Sequence, residues 1–125
     1  VPTDFPYENI TNILAKCQRY FWRVVSGTNN AISAVANYSG THWYGPLYFP
    51  VTMRAVPTLS VSNVAHFGVL NNGAQTATSA ITLSGRDDGL TITEWQLVTA
   101  SLTAGHAGSF HSLDASAIMD LSAEI

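Results

Sequence analysis

His42, Trp43, Tyr44 and Tyr48 place one imidazole and three aromatic rings in a single short run, and Asn37 stands just ahead of it. Aromatic faces stack on the C–H surfaces of sugars, and Asn, Ser and Asp side chains bind hydroxyls; Trp and Tyr also anchor protein interfaces at low entropic cost. These five residues are the candidate receptor-binding set. The competing expectation is that Trp43 and Tyr44 merely cover the open end of a β fold. Trp22 and Trp95 lie in strand-like stretches, where a core position is expected.

Other chemistry is poorly provided for. His106 and His111 in GHAGSFH are separated by a loop-like spacing with no fixed carboxylate partner, and His42 and His66 stand apart, so no metal or other cofactor is expected. Only in a trimer, where one axial histidine becomes three, would that change. Glycoside hydrolysis needs two carboxylates roughly 5–10 Å apart. Asp87 and Asp88 are turn residues, and Glu94, Asp114, Asp120 and Glu124 converge only if folding brings them together. The chain has no G-x-S-x-G elbow, phosphate-binding glycine loop or H-E-x-x-H. Cys17, the single cysteine, excludes an intrachain disulfide and is expected to be a buried, small apolar residue.

Composition narrows the field. A chain of 125 residues supports one core, burying roughly 65–70% of its unfolded surface. Charged residues make up 10%, against about 25% in an ordinary domain, and Lys16 is the only lysine. Apolar residues reach 46%, more than one small core consumes, and interfaces deplete charge at their centres, so a symmetric oligomer is expected. A net charge of −3 without a basic stripe argues against nucleic acid. With no apolar run of about 18 residues and no signal-peptide layout, neither membrane insertion nor export is expected. The start at Val1 suggests a piece of a longer protein.

The elements that must position these residues are one helix and many strands. Ile10, Ile13, Leu14 and Cys17 share a helical face, with Asn9 or Thr11 as cap. From Arg19 the period changes to two, through Tyr20, Trp22 and Val24. Residues 26–45 are rich in turn formers and are predicted to form a long loop with at most one short strand near Ile32–Ala36. Leu47, Phe49, Val51 and Met53 alternate with polar residues as a strand, and Pro50 in it points to an edge or bulge. Further strands are predicted at 58–64, 65–70, 79–84, 89–98, 109–113 and 117–123. GRDDG is predicted as a hairpin turn, and the phase slip between Ile92 and Trp95 as a bulge near Thr93 or Glu94. The fold class expected is an all-β antiparallel sandwich, with jelly-roll topology and one short N-terminal helix.

The stretch LAKCQRYFWRV, followed by FPVTMRAVPTLSV and a terminal SAEI, resembles the C-terminal domain of many bacteriophage tail-fibre and other virion-appendage proteins. The matching residues are Pro6, Tyr7, Glu8, Leu14, Ala15, Cys17, Gln18, Arg19, Tyr20, Phe49, Pro50, Val51, Met53, Arg54, Ala55, Pro57, Thr58, Ala123 and Glu124. The chain departs from that pattern at Phe21–Trp22 and in the long segment after Val25. The resemblance implies a homotrimeric β-sandwich knob at residues 19–125, fed by a segment and helix at 1–18 that leads from a shaft or preceding domain. It also implies a virion location, with synthesis in the host bacterial cytoplasm. The implied partners are other copies of the chain, other virion proteins, and a bacterial surface glycan or outer-membrane receptor. No catalytic set comes with it.

Cys17, Arg19, Tyr20, Trp22, Met53, Arg54, Glu94 and Glu124 are the expected structural and oligomer residues. Met53 is expected inside, and Arg54 is expected to make a bidentate pair with Glu94 or Glu124, within a subunit or across the trimer, so that Arg54→Lys weakens assembly. Arg19 and Arg23 are expected to act similarly. The alternatives are a cellular lectin-like carbohydrate-binding module and a small polysaccharide depolymerase with an intersubunit carboxylate site.

Overall fold

The computed structural model describes Tyr7, residues 9–84 and residues 90–123. The predicted GRDDG turn and Glu124 lie outside the described residues, as do Pro6 and Glu8. Among the described residues a helix, α1 (Ile10–Gln18), precedes nine strands. They are β1 (Phe21–Ser26), β2 (Ala31–Asn37), β3 (His42–Tyr48), β4 (Thr58–Val61), β5 (Phe67–Asn71), β6 (Ala74–Ser84), β7 (Ile92–Thr99), β8 (Ala107–Ser112) and β9 (Ile118–Ser122), with a 3-10 turn at Val64–His66.

The antiparallel all-β character and the short helix are as expected, but the strand pairings differ from a sandwich. Six strands close into a barrel in the order β2-β3-β7-β6-β5-β8, and β1-β9-β4 form a separate sheet. Closure runs through β2–β8 pairing from Ala31↔His111 to Ala36↔Ala107. Period-two alternation is common to sandwiches and barrels, so the sequence pattern does not separate them. Closure leaves none of these six strands with an open edge.

The turn-rich segment after Val25 is the main departure from expectation. The one short strand expected near Ile32–Ala36 is present as β2, but the segment also forms most of β3, so two adjacent staves stand where mainly loop was expected. Small residues permit this: a Cβ on Gly45 would collide with the Ala34 carbonyl oxygen and the Val35 side chain, and one on Gly108 would stand 3.1 Å from the Trp43 ring. Close approach of backbones is the use to which strand glycines are put.

The barrel interior is filled by Val35, Trp43, Leu47, Phe67, Val69, Ile81, Trp95, Leu97 and Phe110. Trp95 packs edge-on against Phe110 at 5.4 Å between centroids. The same apolar cluster continues beneath the three-stranded sheet through Val25, Phe49, Met53, Met119 and Leu121. Met53 is 1% exposed, in keeping with expectation. Regular pairing of β3 stops at Tyr48, but inward alternation persists through Phe49, Met53 and Pro57.

The β3–β7 register is unbroken from His42↔Val98 to Tyr48↔Ile92, so no bulge lies at Thr93 or Glu94. Thr93 instead takes the inward position and donates to the Ser84 carbonyl oxygen at 2.9 Å. The register shift falls in β6 between Thr78 and Ala80, where it moves the inward set from Thr78 to Ile81. A bulge changes which side chains face inward because it adds one residue to a period of two.

The two barrel tryptophans differ in one respect. Trp43 Nε1 donates to Thr99 Oγ1 at 3.0 Å, whereas Trp95 Nε1 has no acceptor among the described residues. A buried unpaired donor costs about 1–3 kcal/mol. Trp95→Phe removes that donor, whereas Trp43→Phe deletes a hydrogen bond. Trp95→Phe is therefore expected to cost about 1–3 kcal/mol less than Trp43→Phe in urea unfolding at unchanged m. Equal losses would show that Trp95 Nε1 is satisfied.

α1 is capped at its start by Asn9, whose side chain accepts from Thr11 N at 2.9 Å, and at its end by Arg19. None of its residues is buried: Ile10 is 80%, Leu14 56% and Ile13 44% exposed. Cys17, expected to be buried, is exposed, and among the described residues no residue of α1 is buried. The chain just past the helix is held firmly by backbone hydrogen bonds. Arg54 N donates to Arg19 O at 2.9 Å, and Ala123 N to Tyr20 O at 2.7 Å.

Candidate functional site

The turn from β2 to β3 is built around Asn37, which is 3% exposed. Its Nδ2 donates to Gly40 O at 2.9 Å and its Oδ1 accepts from Gly40 N at 2.6 Å. The turn is then tied to its surroundings by Asn37 N to His106 O, Gly105 N to Asn37 O, Tyr38 N to His42 O and Leu102 N to Gly40 O, each 2.8 Å. Gly40 has φ 85°, and a Cβ there would crowd Leu102 O at 3.2 Å. Asn37 thus holds a turn, with every polar atom already in a hydrogen bond and only 3% of its surface exposed, contrary to its expected contact role. Asn37→Ala is expected to cost about 1–3 kcal/mol, because it leaves the buried Gly40 N–H unpaired. Thermal unfolding checks this, and an unchanged midpoint would contradict it.

Trp43 is likewise not a receptor contact. It is 0% exposed and points into the barrel, because its position is in phase with the inward residues Leu47 and Phe49. His42 is half-buried, with Nδ1 2.9 Å from Thr41 Oγ1. The outward face of β3 carries Tyr44, Pro46 and Tyr48. Tyr48 is 68% exposed. Tyr44 is half-buried and meets Tyr38 edge-to-face at 5.7 Å and 88°.

These outward residues line several clefts rather than one. The first, about 320 Å³, is lined by Ala36, Asn37, Tyr38, Tyr44 and Glu94. Its polar wall comes from β7, where Glu94 pairs across from Pro46. The second, about 340 Å³, is lined mainly by Trp22, Val24, Ile32, Leu47 and Tyr48 and is apolar in character. A third, of about 290 Å³, is bordered by Tyr44, Pro46, Ile92, Thr93 and Glu94. Tyr38, 77% exposed, is the residue that sequence reasoning missed. Its position between the turn formers Asn37 and Gly40 was the available signal.

The expected Arg54–Glu94 pair does not form within the chain. Arg54 lies over the Tyr20 ring, 5.4 Å from its centroid, and has no carboxylate partner among the described residues. A cation–π contact tolerates an ammonium, whereas a pair with Glu124, which lies outside the described residues, or with a carboxylate of another copy would still call for the fork. The fork occurs at Arg23 instead: Nε to Asp120 Oδ1 is 2.9 Å and the second arm to Oδ2 is 3.1 Å. That hydrogen-bonded, opposite charge raises the Arg23 pKa. Trp22 is half-buried and meets Phe49 edge-on at 6.2 Å.

Asp120 is held by Arg23, and Asp114 Oδ1 accepts from Ser116 N at 2.7 Å; Glu94 is the acidic residue lining the tyrosine cleft. Among the described residues no three of His, Cys, Asp and Glu cluster as metal ligands. His111 is buried and its Nδ1 lies 3.1 Å from Ser109 O, whereas His106 is exposed. No helix among the described residues is long and apolar enough to cross a membrane. Comparison with protein-family models, curated proteins and solved structures gave no match.

Proposed function

We propose that this chain is a non-enzymatic knob of a bacteriophage tail fibre or other virion appendage, which trimerises and presents its surface to a bacterial cell-surface glycan. The observation that carries the reading is α1, a nine-residue helix with no buried residue and an outward apolar stripe. Isolated helices shorter than about 12–15 residues are marginal in water, so such an element needs packing from elsewhere. Copies of the same chain supply it most simply, because a symmetric assembly buries the same stripe in each protomer. The 10% charge content and the CQRYF and FPVTMRA stretches support the same reading.

Attachment is then a property of the clefts on the barrel wall, carried by rigid strands. In this role the partners are other copies of the chain, other virion proteins and the host surface. The test is binding of the labelled chain to a panel of bacteria, with extracted surface polysaccharide as competitor. Saturable binding that the polysaccharide abolishes is expected. Absence of binding across the panel would overturn the attachment role, and shortened polysaccharide after incubation would overturn its non-enzymatic character.

A further inference from the structure

We propose that the apolar cleft lined by Trp22, Val24, Ile32, Leu47 and Tyr48 receives α1 of a neighbouring copy, whose Ile10, Ile13 and Leu14 side chains dock head to tail from chain to chain. This rests on the trimer reading above and names the two surfaces that meet. The first support is the cleft. It takes residues from the edge strand β1 and from β2 and β3, and its lining carries no charged side chain. Regular pairing of β2 with β3 is confined to Ala36↔Tyr44 and Asn37↔Trp43. Beyond it Pro46 brings no N–H to the ladder, and Ser33 Oγ donates to Pro46 O at 2.8 Å, so the two strands part with a polar link already made. Tyr48 remains 68% exposed beside the opening.

The second support is the helix. At about 100° per residue, Ile10, Ile13, Leu14 and Cys17 fall in one uncharged stripe, whereas Ala15 and Gln18, the half-buried residues of α1, lie well round from it. The small and polar side of the helix is the one its own chain covers. The link to β1 is Arg19 and Tyr20, at most about 7 Å long, and both carbonyl oxygens accept hydrogen bonds, from Arg54 N and Ala123 N. That tether keeps the stripe from its own cleft. Laying i, i+3 and i+4 anchors of an amphipathic helix into an apolar groove is a recurrent mode of recognition. About 340 Å³ is ample for such anchors, since about 150 Å³ takes a benzene ring. Each chain holds both a stripe and a cleft, and docking one into the other between copies is a heterologous contact that covers both in every copy once the ring closes. Stripe against stripe would leave the cleft open. The clefts around Tyr44 stay open to the host surface.

Cys17, exposed on the stripe and the only thiol of the chain, reports the contact directly. Tyr48→Cys and Ile32→Cys, each in the full chain at micromolar concentration, are treated with a short bis-maleimide, and the linked peptides are identified by mass spectrometry. The expected result is linkage of Cys17 to the introduced thiol of another copy in at least one variant, in two- and three-chain species, with no linked chains in the wild type. Linkage of Cys17 to Cys17 in the wild type would set stripe against stripe and overturn the docking, as would linkage confined to single chains. If light scattering gives three chains for the wild type and both variants and neither variant cross-links, the docking falls and the assembly reading survives. A wild-type mass of one chain overturns both. Independently, Tyr48→Asp should raise the dissociation constant of the assembly on the order of tenfold with an unchanged far-UV circular dichroism spectrum. A dissociation constant equal to that of the wild type would remove the cleft from the interface.

Discussion

Trp43→Ala is expected to lower the unfolding free energy by about 3–5 kcal/mol, the range for emptying a buried aromatic site. The ring is fully enclosed in a six-stranded barrel, and its Nε1 hydrogen bond to Thr99 links β3 to the end of β7. A closed barrel has little freedom to collapse around the void, since each stave is fixed by neighbours on both sides. Domains of this kind are stable by only about 5–15 kcal/mol, so the variant sits near the edge of folding at ambient temperature. Chemical denaturation with near-UV circular dichroism reads the effect. A midpoint close to wild type would mean that Trp43 is not core, and would return it to the surface as a contact residue.

Ile13→Asp combined with Leu14→Asp is expected to convert the proposed assembly to single chains while leaving the barrel folded. The two residues retain 44% and 56% of their surface in the isolated chain, so assembly can gain about half of the 1.5–3 kcal/mol that full burial of each provides. The double change thus forfeits about 1.5–3 kcal/mol per protomer, and it gathers like charges where the copies meet. Barrel stability should hardly move, because α1 contributes no buried residue. Sedimentation velocity and thermal unfolding, measured together, separate the two effects. An unchanged sedimentation coefficient would remove α1 from the interface, and a collapsed melting temperature would show that the helix stabilises its own chain.

The strands were legible where large residues alternate. Trp95 and Leu97 mark β7, and Leu47, Phe49 and Met53 mark the inward phase of the segment that leaves the barrel. That phase also accounts for Trp43: it shares the odd parity of Leu47 and Phe49, so its enclosure was readable from spacing alone. β2 was less legible, since Ala31, Ser33, Ala34 and Ala36 give a faint hydrophobic signal, and its small side chains serve close packing. The Asn72–Gly73 pair, with φ of 49° and 77°, forms the two-residue connection between Asn71 and Ala74, and its sequence carried that signal openly.

Other features depend on which chain segments meet, and no local pattern encodes them. Pairing of β2 with β8 closes the barrel across more than half the chain. The choice of Asp120 as the Arg23 partner follows from β1–β9 register, where Arg23 stands opposite Asp120. Arg54 meets Tyr20 because the chain after β3 returns to the end of α1. In the candidate site, Tyr44 was readable as an outward aromatic residue, whereas its companions Tyr38 and Glu94 come from a turn and from a strand distant in sequence.

The exposed helix makes assembly the most direct point of test. Light scattering coupled to size exclusion, at micromolar protein, is predicted to give three times the mass of one chain. A mass of one chain at that concentration would contradict the account.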